Sequence, residues 1–199
     1  MSELRTTAKG NTIRLYWAKQ YRFSRRKAQR LAQQVDEHSD PDLTRAIGHH
    51  AENLFGFAAS RAGFNIAGQN VRSYGGKTWP QTEHELDWIF ERDGVAWGVE
   101  IKNTWAYIDR PEMYAKMEMC EFLGLRPLFI MRWAPKSYIN VMRERNGFGL
   151  LYEDQYFPPG HTTVVENLKG LYLPVSVVMA TVPGVFERFQ PWHEGDLRV

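Results

Sequence analysis

The sequence predicts an α/β protein in which helices flank both faces of a central mixed β-sheet, with a basic, helical extension at the N-terminus. From residue 43 onward, the patterns follow the order helix, strand, hairpin, helix, strand, helix, strand, which is typical of α/β layers. Before that point, residues 1–30 hold nine Lys or Arg residues against one acid, Glu3. We therefore expect a basic extension at residues 1–40 and an α/β domain at residues 41–199.

The basic extension is expected to contact a polyanion. The remaining 169 residues carry 16 basic and 22 acidic groups, a net charge of −6, so the positive charge is concentrated at one end of the chain. Such an asymmetry favours nucleic acid as a partner, although a solvated basic helix without any partner is equally compatible with it. The candidate nucleic-acid-binding residues are Arg22, Arg25, Arg26, Lys27, Arg30 and, much further along the chain, Lys116.

Local patterns predict the elements in order. Residues 1–12 are polar and expected to be loose, whereas the apolar spacing from Ile13 to Val35 indicates one or two short helices. A longer helix is expected from Leu43 to Ala62, with Gly63 as its C-terminal stop. The later elements are a strand at 64–74, a hairpin at 85–102, a helix at 111–122, a strand at 127–133, a helix at 137–145 and strands at 148–152 and 171–179, before an irregular tail.

The long helix carries small residues beside its buried stripe. Gly48, Glu52, Gly56 and Ser60 follow one another at a spacing of four. Because three of them are small, the helix backbone can approach a sheet closely and bring Glu52 with it. The alternative is that Glu52 lies at the edge of the buried face of the helix and extends its carboxylate to water.

The hairpin at Glu85–Lys102 is the most informative stretch. Asp93-Gly94 between two apolar-rich runs is a strong signal for a two-residue turn, because both positions tolerate a positive φ. Counting back from the turn gives the opposed pairs Trp88–Val99, Asp87–Glu100 and Glu85–Lys102. Side chains alternate between faces, so Asp87, Glu100 and Lys102 project from one face. The other face is predicted to join the core through Leu86, Trp88, Phe90, Val95, Trp97, Val99 and Ile101.

Two opposed carboxylates repel unless a positive charge lies between them, so a divalent cation is expected near Asp87 and Glu100. Mg²⁺ prefers a few carboxylate oxygens plus water, and the backbone carbonyl of Ile101 could add a ligand. Lys102 would hold a water molecule beside the cation in position to attack a bound substrate. A lysine beside a cation is expected to have a depressed pKa. The alternative is a surface hairpin with a Glu85–Lys102 ion pair.

This constellation, Asp87 followed by Glu100-Ile101-Lys102, resembles the PD-(D/E)XK nuclease superfamily, which includes restriction enzymes and Holliday-junction resolvases. The resemblance covers roughly residues 43–135 and implies a restriction-endonuclease-like core. It implies that the aspartate and the middle acid bind Mg²⁺, that the lysine activates water and that a glutamate on the first core helix, here Glu52, completes the site. The proline of the motif is replaced by Leu86.

The sequence thus favours a DNA endonuclease that depends on Mg²⁺ or Mn²⁺. The alternatives are a catalytically inactive module that binds nucleic acid or protein on the same fold, and a structural partner subunit. A homodimer is a further expectation, because many members of the superfamily act as dimers. No apolar run is long enough to span a bilayer, no phosphate or dinucleotide fingerprint indicates an organic cofactor, and the lone Cys120 excludes an internal disulfide, so a cytoplasmic protein is expected.

Overall fold

The computed structural model describes residues 2–10, 12–16, 24–171, 173–180 and 184–196. The strands are β1 (Ser2–Thr6), β2 (Thr12–Tyr16), β3 (Asn65–Val71), β4 (Ser73–Tyr74), β5 (Lys77–Thr78), β6 (Leu86–Arg92), β7 (Val95–Lys102), β8 (Arg126–Met131), β9 (Phe148–Leu151), β10 (Gln155–Phe157) and β11 (Val175–Val177). The helices are α1 (Ser24–His38), α2 (Pro41–Arg61), α3 (Arg110–Leu123), α4 (Lys136–Glu144), α5 (Thr162–Lys169) and α6 (Phe189–Asp196). Among these described helices, none has both the length and the apolar character needed to cross a bilayer.

The central sheet has the strand order β3-β6-β7-β8-β9. β3, β6 and β7 pair antiparallel, whereas β8 runs parallel to β7 and β9 parallel to β8. The expected α/β class with a mixed sheet is therefore confirmed. Because β6 and β7 lie inside the sheet rather than at its edge, the hairpin that they form is held on both sides.

The predicted hairpin register is confirmed as far as the pairing extends. Asp93 and Gly94 both have positive φ angles, of 53° and 76°, which the expected two-residue turn requires. The pairs run from Arg92 opposite Val95 to Trp88 opposite Val99. The Asp87–Glu100 step lies just beyond the last of these pairs, so the two acids stand where the strands leave the ladder.

Both faces of the sheet are covered. On one face, α2 and the C-terminal α6 pack on alternate residues of the hairpin, and the buried aromatic rings include Phe55, Phe90, Trp97 and Phe189. On the opposite face, α3 packs on the hairpin through Met119, Cys120 and Leu123. Among the described residues, a dense core therefore covers both faces of the hairpin.

Leu86 departs from the predicted alternation. It was expected on the same face as Trp88 and Phe90, but its side chain packs with Ile89 and Cys120 on the α3 side. A Cβ atom added at Gly98, on that side, would lie 3.0 Å from the Leu86 Cδ1 atom. Leu86 lies beyond the last β6–β7 pair, although it is still paired with Val71 of β3.

The N-terminal residues form a hairpin where a loose segment and a helix were expected. β1 and β2 pair antiparallel, from Ser2 opposite Tyr16 to Thr6 opposite Thr12. The error arose because the apolar residues of β2 fit a helical spacing as well as a period of two. The helix expected after this segment is present as α1, so the extension is a hairpin and a helix rather than helical throughout.

Helix α1 packs on the rest of the chain through its C-terminal half. The Gln34 amide donates to the Asn167 carbonyl over 3.2 Å, which joins α1 to α5. At the end of α1, the His38 ring stacks on Trp105 with a centroid separation of 4.0 Å. The boundary at residue 40 stays a prediction, but α1 is attached beside the loop that follows β7.

Candidate active site

Glu100 occupies the centre of a buried ion-pair network between β7 and α3. Its side chain is 3% exposed. One carboxylate oxygen, Oε1, lies 2.9 Å from Lys102 Nζ, and the other, Oε2, lies 2.6 Å from Lys116 Nζ. Lys102 also lies 2.9 Å from Glu112 Oε1. The network shows that Glu100 and Lys102 do project together, toward α3, as the hairpin register predicts.

Lys116 is an internal lysine. Its ammonium group donates both to Glu100 and to the backbone carbonyl of Glu85. Since the side chain is only 7% exposed, it is a component of the site rather than of an outer basic surface. A contact between Lys116 and a phosphate stays a prediction.

Asp87 lies next to this network at the end of the β6–β7 ladder. Its Oδ2 atom accepts a hydrogen bond from the backbone N–H of Ile101 over 2.6 Å. Burial and the charge of Glu100 raise the pKa of Asp87 to about 8, although the Ile101 N–H and Lys116 act in the opposite direction. Asp87 is therefore a carboxyl group whose ionisation is opposed first by burial and then by the neighbouring charge of Glu100.

Glu52 approaches Asp87 from α2, on the other side of the sheet. Its charge contributes to the raised pKa of Asp87, and its own carboxylate lies 3.2 Å from His49 Nδ1. The close approach of α2 that its small residues predict is confirmed at Gly56, where an added Cβ would lie 3.0 Å from the Trp88 ring. The Trp88 indole also donates to the Glu52 carbonyl over 3.1 Å, so α2 is fixed against β6 beside Asp87.

The charges of this region do not balance. We use the term Glu100 cluster for six residues: Glu52, Asp87, Glu100, Lys102, Glu112 and Lys116. With every group ionised, its four carboxylates and two ammonium groups leave a formal charge of −2, and the proton that Asp87 keeps below about pH 8 reduces this to −1. Uncompensated charge in a partly buried place is costly, and a divalent cation would neutralise it.

The donor set suits a hard cation such as Mg²⁺ or Mn²⁺, since its available atoms are carboxylate oxygens. Within the described residues, however, no three His, Cys, Asp or Glu side chains are already arranged around one metal position. Both oxygens of Glu100 are held by lysines, so a cation would share Glu100 with them. The carbonyl of Ile101 remains a predicted ligand, and its N–H is the group that the structure engages.

The pKa of Lys102 moves opposite to the expected direction. Burial disfavours its charge, but the carboxylates of Glu100 and Glu112 outweigh burial and hold the pKa above its usual range. Lys102 is thus a permanently charged group between two acids, with 27% of its side chain exposed. It is suited to stabilising negative charge rather than to accepting a proton.

Most of the predicted nucleic-acid-binding residues of the extension lie on α1. Arg26, Lys27 and Arg30 are exposed on α1. Arg22 lies outside the described residues, and so does the side chain of Arg25. Helix α1 ends at His38, whose partner Trp105 follows Lys102 closely in sequence, so the exposed basic face belongs to a helix anchored near the site.

Two residues of the site were not predicted from the sequence. Glu112 accepts a hydrogen bond from the Lys102 ammonium group. The only sequence signal for its place in the site is that it lies one helical turn before Lys116 on α3. Asn103, directly after Lys102, is buried; its amide nitrogen donates to the carbonyls of Ile47 and Tyr156 over 3.1 and 2.7 Å. Its amide oxygen accepts from the Tyr156 N–H over 3.0 Å, so Asn103 fixes the chain where β7 ends.

Comparison of the chain with protein-family models, with curated proteins and with solved structures gives no match. Membership of the PD-(D/E)XK superfamily therefore stays a prediction, supported by the hairpin residues and their arrangement around Glu100.

Proposed function

We propose that the chain is a metal-dependent DNA endonuclease that hydrolyses phosphodiester bonds at the Glu100 cluster. The observation that carries the proposal is the excess negative charge around Asp87 and Glu100 beside a lysine that stays protonated. A site with this chemistry can hold a divalent cation and, next to it, place a fixed positive charge against a phosphate.

The residues of the cluster have distinct roles in this proposal. Asp87 and Glu100 hold Mg²⁺ or Mn²⁺, with the Ile101 carbonyl and Glu52 as further ligands. The bound cation supplies charge neutralisation at the phosphate and makes a bound water more acidic. Lys102 donates to the phosphate oxygens and offsets the negative charge that develops on them, because Glu100 and Glu112 keep it in the ammonium form. Lys116 holds Glu100 in place from the protein side.

The DNA assignment is supported by the distribution of charge. The acidic body would repel a polyanion, whereas Arg26, Lys27 and Arg30 present a basic face on α1. The contact of His38 with Trp105 anchors that helix beside the segment that follows Lys102. Cutting both strands of a duplex would involve a second copy of the chain, and a cytoplasmic location would give access to DNA.

The test is a cleavage panel of supercoiled, linear, single-stranded and branched DNA with Mg²⁺ and with Mn²⁺. We expect cleavage by the wild type and at least a hundredfold loss in Lys102→Ala, as is usual when a group that stabilises the developing charge is removed. Lys169→Ala, which removes an exposed lysine from the end of α5, is the matched control. Wild-type protein that leaves all four DNA forms intact would contradict the proposal.

A second candidate function is a nucleic-acid-binding module without catalysis. It is favoured by one observation: both carboxylate oxygens of Glu100 are already engaged by lysines, as in a self-contained structural network. This candidate predicts that DNA affinity is the same in EDTA and in Mg²⁺. It also predicts that the logarithm of the binding constant falls linearly with the logarithm of the salt concentration. Binding that Asp87→Asn leaves unchanged, without turnover by the wild type, would favour it.

A further inference from the structure

Two exposed aromatic side chains stand at the end of the sheet where Lys102 lies. Tyr107 is 44% exposed and Trp133 is 49% exposed. Their rings meet edge to face, with centroids 4.8 Å apart and planes at 89°. We call these two residues the aromatic pair. Unlike a single exposed ring, the two rings in contact form one continuous apolar surface.

The aromatic pair is close to the Glu100 cluster because of the sheet register. Lys102 at the end of β7 is paired with Met131 at the end of the parallel strand β8. Trp133 follows Met131 after one intervening residue, and two residues of extended chain span at most about 7 Å. Trp133 therefore lies at the same end of the sheet as Lys102.

The pair is held in place by its neighbours. The Trp133 indole donates to the Trp105 carbonyl over 3.3 Å. Tyr107 also meets the buried Tyr138 edge to face, at a centroid distance of 5.9 Å. Trp105 is itself stacked on His38 of α1. Since these contacts fix the rings but leave them partly open, a ligand would meet a preorganised surface.

The two chain segments that carry the pair have more basic than acidic residues, in contrast to the chain after residue 30 as a whole. The two segments that carry the pair, residues 103–110 and 132–137, contain three basic residues, Arg110, Arg132 and Lys136, and one acid, Asp109. Arg110 and Lys136 are exposed. Aromatic rings interleaved with cations are the combination that binds a nucleic-acid strand, with stacking for the bases and charge for the phosphates.

We propose that the aromatic pair stacks on an unpaired base, so that the substrate of the Glu100 cluster is DNA with a single-stranded segment. This inference rests on the proposed function for its choice of DNA. A base inside a duplex is covered by its neighbours and has no free face for a ring, whereas a base in a single strand has one. Trp133 would thus hold the strand at the end of the sheet where Lys102 meets the phosphate.

The test measures binding rather than cleavage. A fluorescein-labelled dT15 strand and a 15-base-pair duplex are titrated with the full chain in EDTA, and affinity is read from anisotropy. We expect tighter binding of the single strand, and a loss of roughly 5- to 150-fold for that strand alone in Trp133→Ala. Phe57→Ala, which removes an exposed ring from α2, is the control and should bind like the wild type.

Two further variants separate stacking from folding. Trp133→Phe loses the bond to Trp105 but keeps a ring, so it should recover single-strand affinity to within about threefold, and Tyr107→Ala should weaken it. Equal affinity of wild type and a folded Trp133→Ala for the single strand, or an equal loss for strand and duplex, would overturn the inference. Because EDTA prevents metal-dependent cleavage, the binding test does not depend on catalysis. A protein that cuts no DNA could still bind the single strand through the aromatic pair, and a protein that cuts DNA could still lack this binding.

Discussion

Asp87→Asn should stabilise the metal-free protein, and increasingly so as the pH rises. The pKa of Asp87 is raised from its ordinary value of 3.8 to about 8, first by burial and then by the charge of Glu100. The folded state therefore keeps a proton that the unfolded state releases above pH 4. The free energy of unfolding of the wild type therefore falls as the pH rises toward 8. Asp87→Asn lacks this dependence, because asparagine has no proton to lose and can still accept a hydrogen bond from the Ile101 N–H.

The size of the effect follows from the retained proton. One proton bound only in the folded state changes the free energy of unfolding by about 1.4 kcal/mol per pH unit. Between pH 5 and pH 7 the wild type should lose on the order of 3 kcal/mol relative to Asp87→Asn. For a chain of this size, that difference corresponds to roughly 6–12 °C in the melting temperature at pH 7.

The measurement is urea denaturation of both proteins in EDTA at pH 5, 6, 7 and 8. Asp109→Asn, a change of the same kind at an exposed position without a side-chain cap bond, is the control and should track the wild type. A gap between wild type and Asp87→Asn that stays constant from pH 5 to pH 8 would refute the reasoning. Added Mn²⁺ should raise the stability of the wild type but not of Asp87→Asn, because the variant lacks a metal-binding carboxylate.

Three other substitutions test the surroundings of the site. Lys116→Met should lower the free energy of unfolding by about 3–5 kcal/mol in EDTA, because it leaves Glu100 with one cation, and Mn²⁺ should restore more stability to it than to the wild type. Gly98→Ala should cost about 1–3 kcal/mol, because its Cβ would lie 2.5 Å from Cys120 Sγ. The pKa of His38 is lowered by burial, so folding favours the neutral ring and the free energy of unfolding should fall as the pH drops through 6.5. Urea titrations of Asp87→Asn with and without His38→Gln isolate this loss, because the Asp87→Asn background lacks the opposite pH dependence of Asp87.

Each of these has its own check. Lys136→Met is the exposed counterpart of Lys116→Met, and equal stability of the two would mean that the buried ion pair is not formed in solution. For Gly98→Ala, the added Cys120→Ala change should recover most of the loss, and no recovery would place the clash elsewhere. For His38, parallel pH profiles of the two proteins would show that its ring is not kept neutral by folding.

The hairpin was predictable because its determinants are local. The Asp93-Gly94 turn sets the register, and the register determines that Glu100 and Lys102 share a face. The approach of α2 was also predictable, since Gly48, Gly56 and Ser60 are small residues on one side of the helix, and Gly56 does lie against the Trp88 ring. The mixed sheet followed from the order of the elements, because a strand that follows a helix commonly returns parallel to its predecessor.

The environment of those residues was not predictable, because it depends on contacts between distant segments. Nothing local indicates that Lys116 turns inward to Glu100 rather than outward to water. The tail that looked irregular contains α6, whose Phe189 ring lies 5.0 Å from Trp97 across the core. The pKa of Lys102 likewise depends on Glu112, a residue of another element.

Asn103 limits which residues can follow the lysine of the site. Its amide uses two donors toward Ile47 and Tyr156 and one acceptor toward the Tyr156 N–H and the Tyr152 hydroxyl. Aspartate has no donor, serine is too short, and glutamine carries an extra methylene, so none of them can replace all of these bonds. Among relatives of this chain, we therefore expect asparagine at position 103 to vary less than the exposed residues of the same loop.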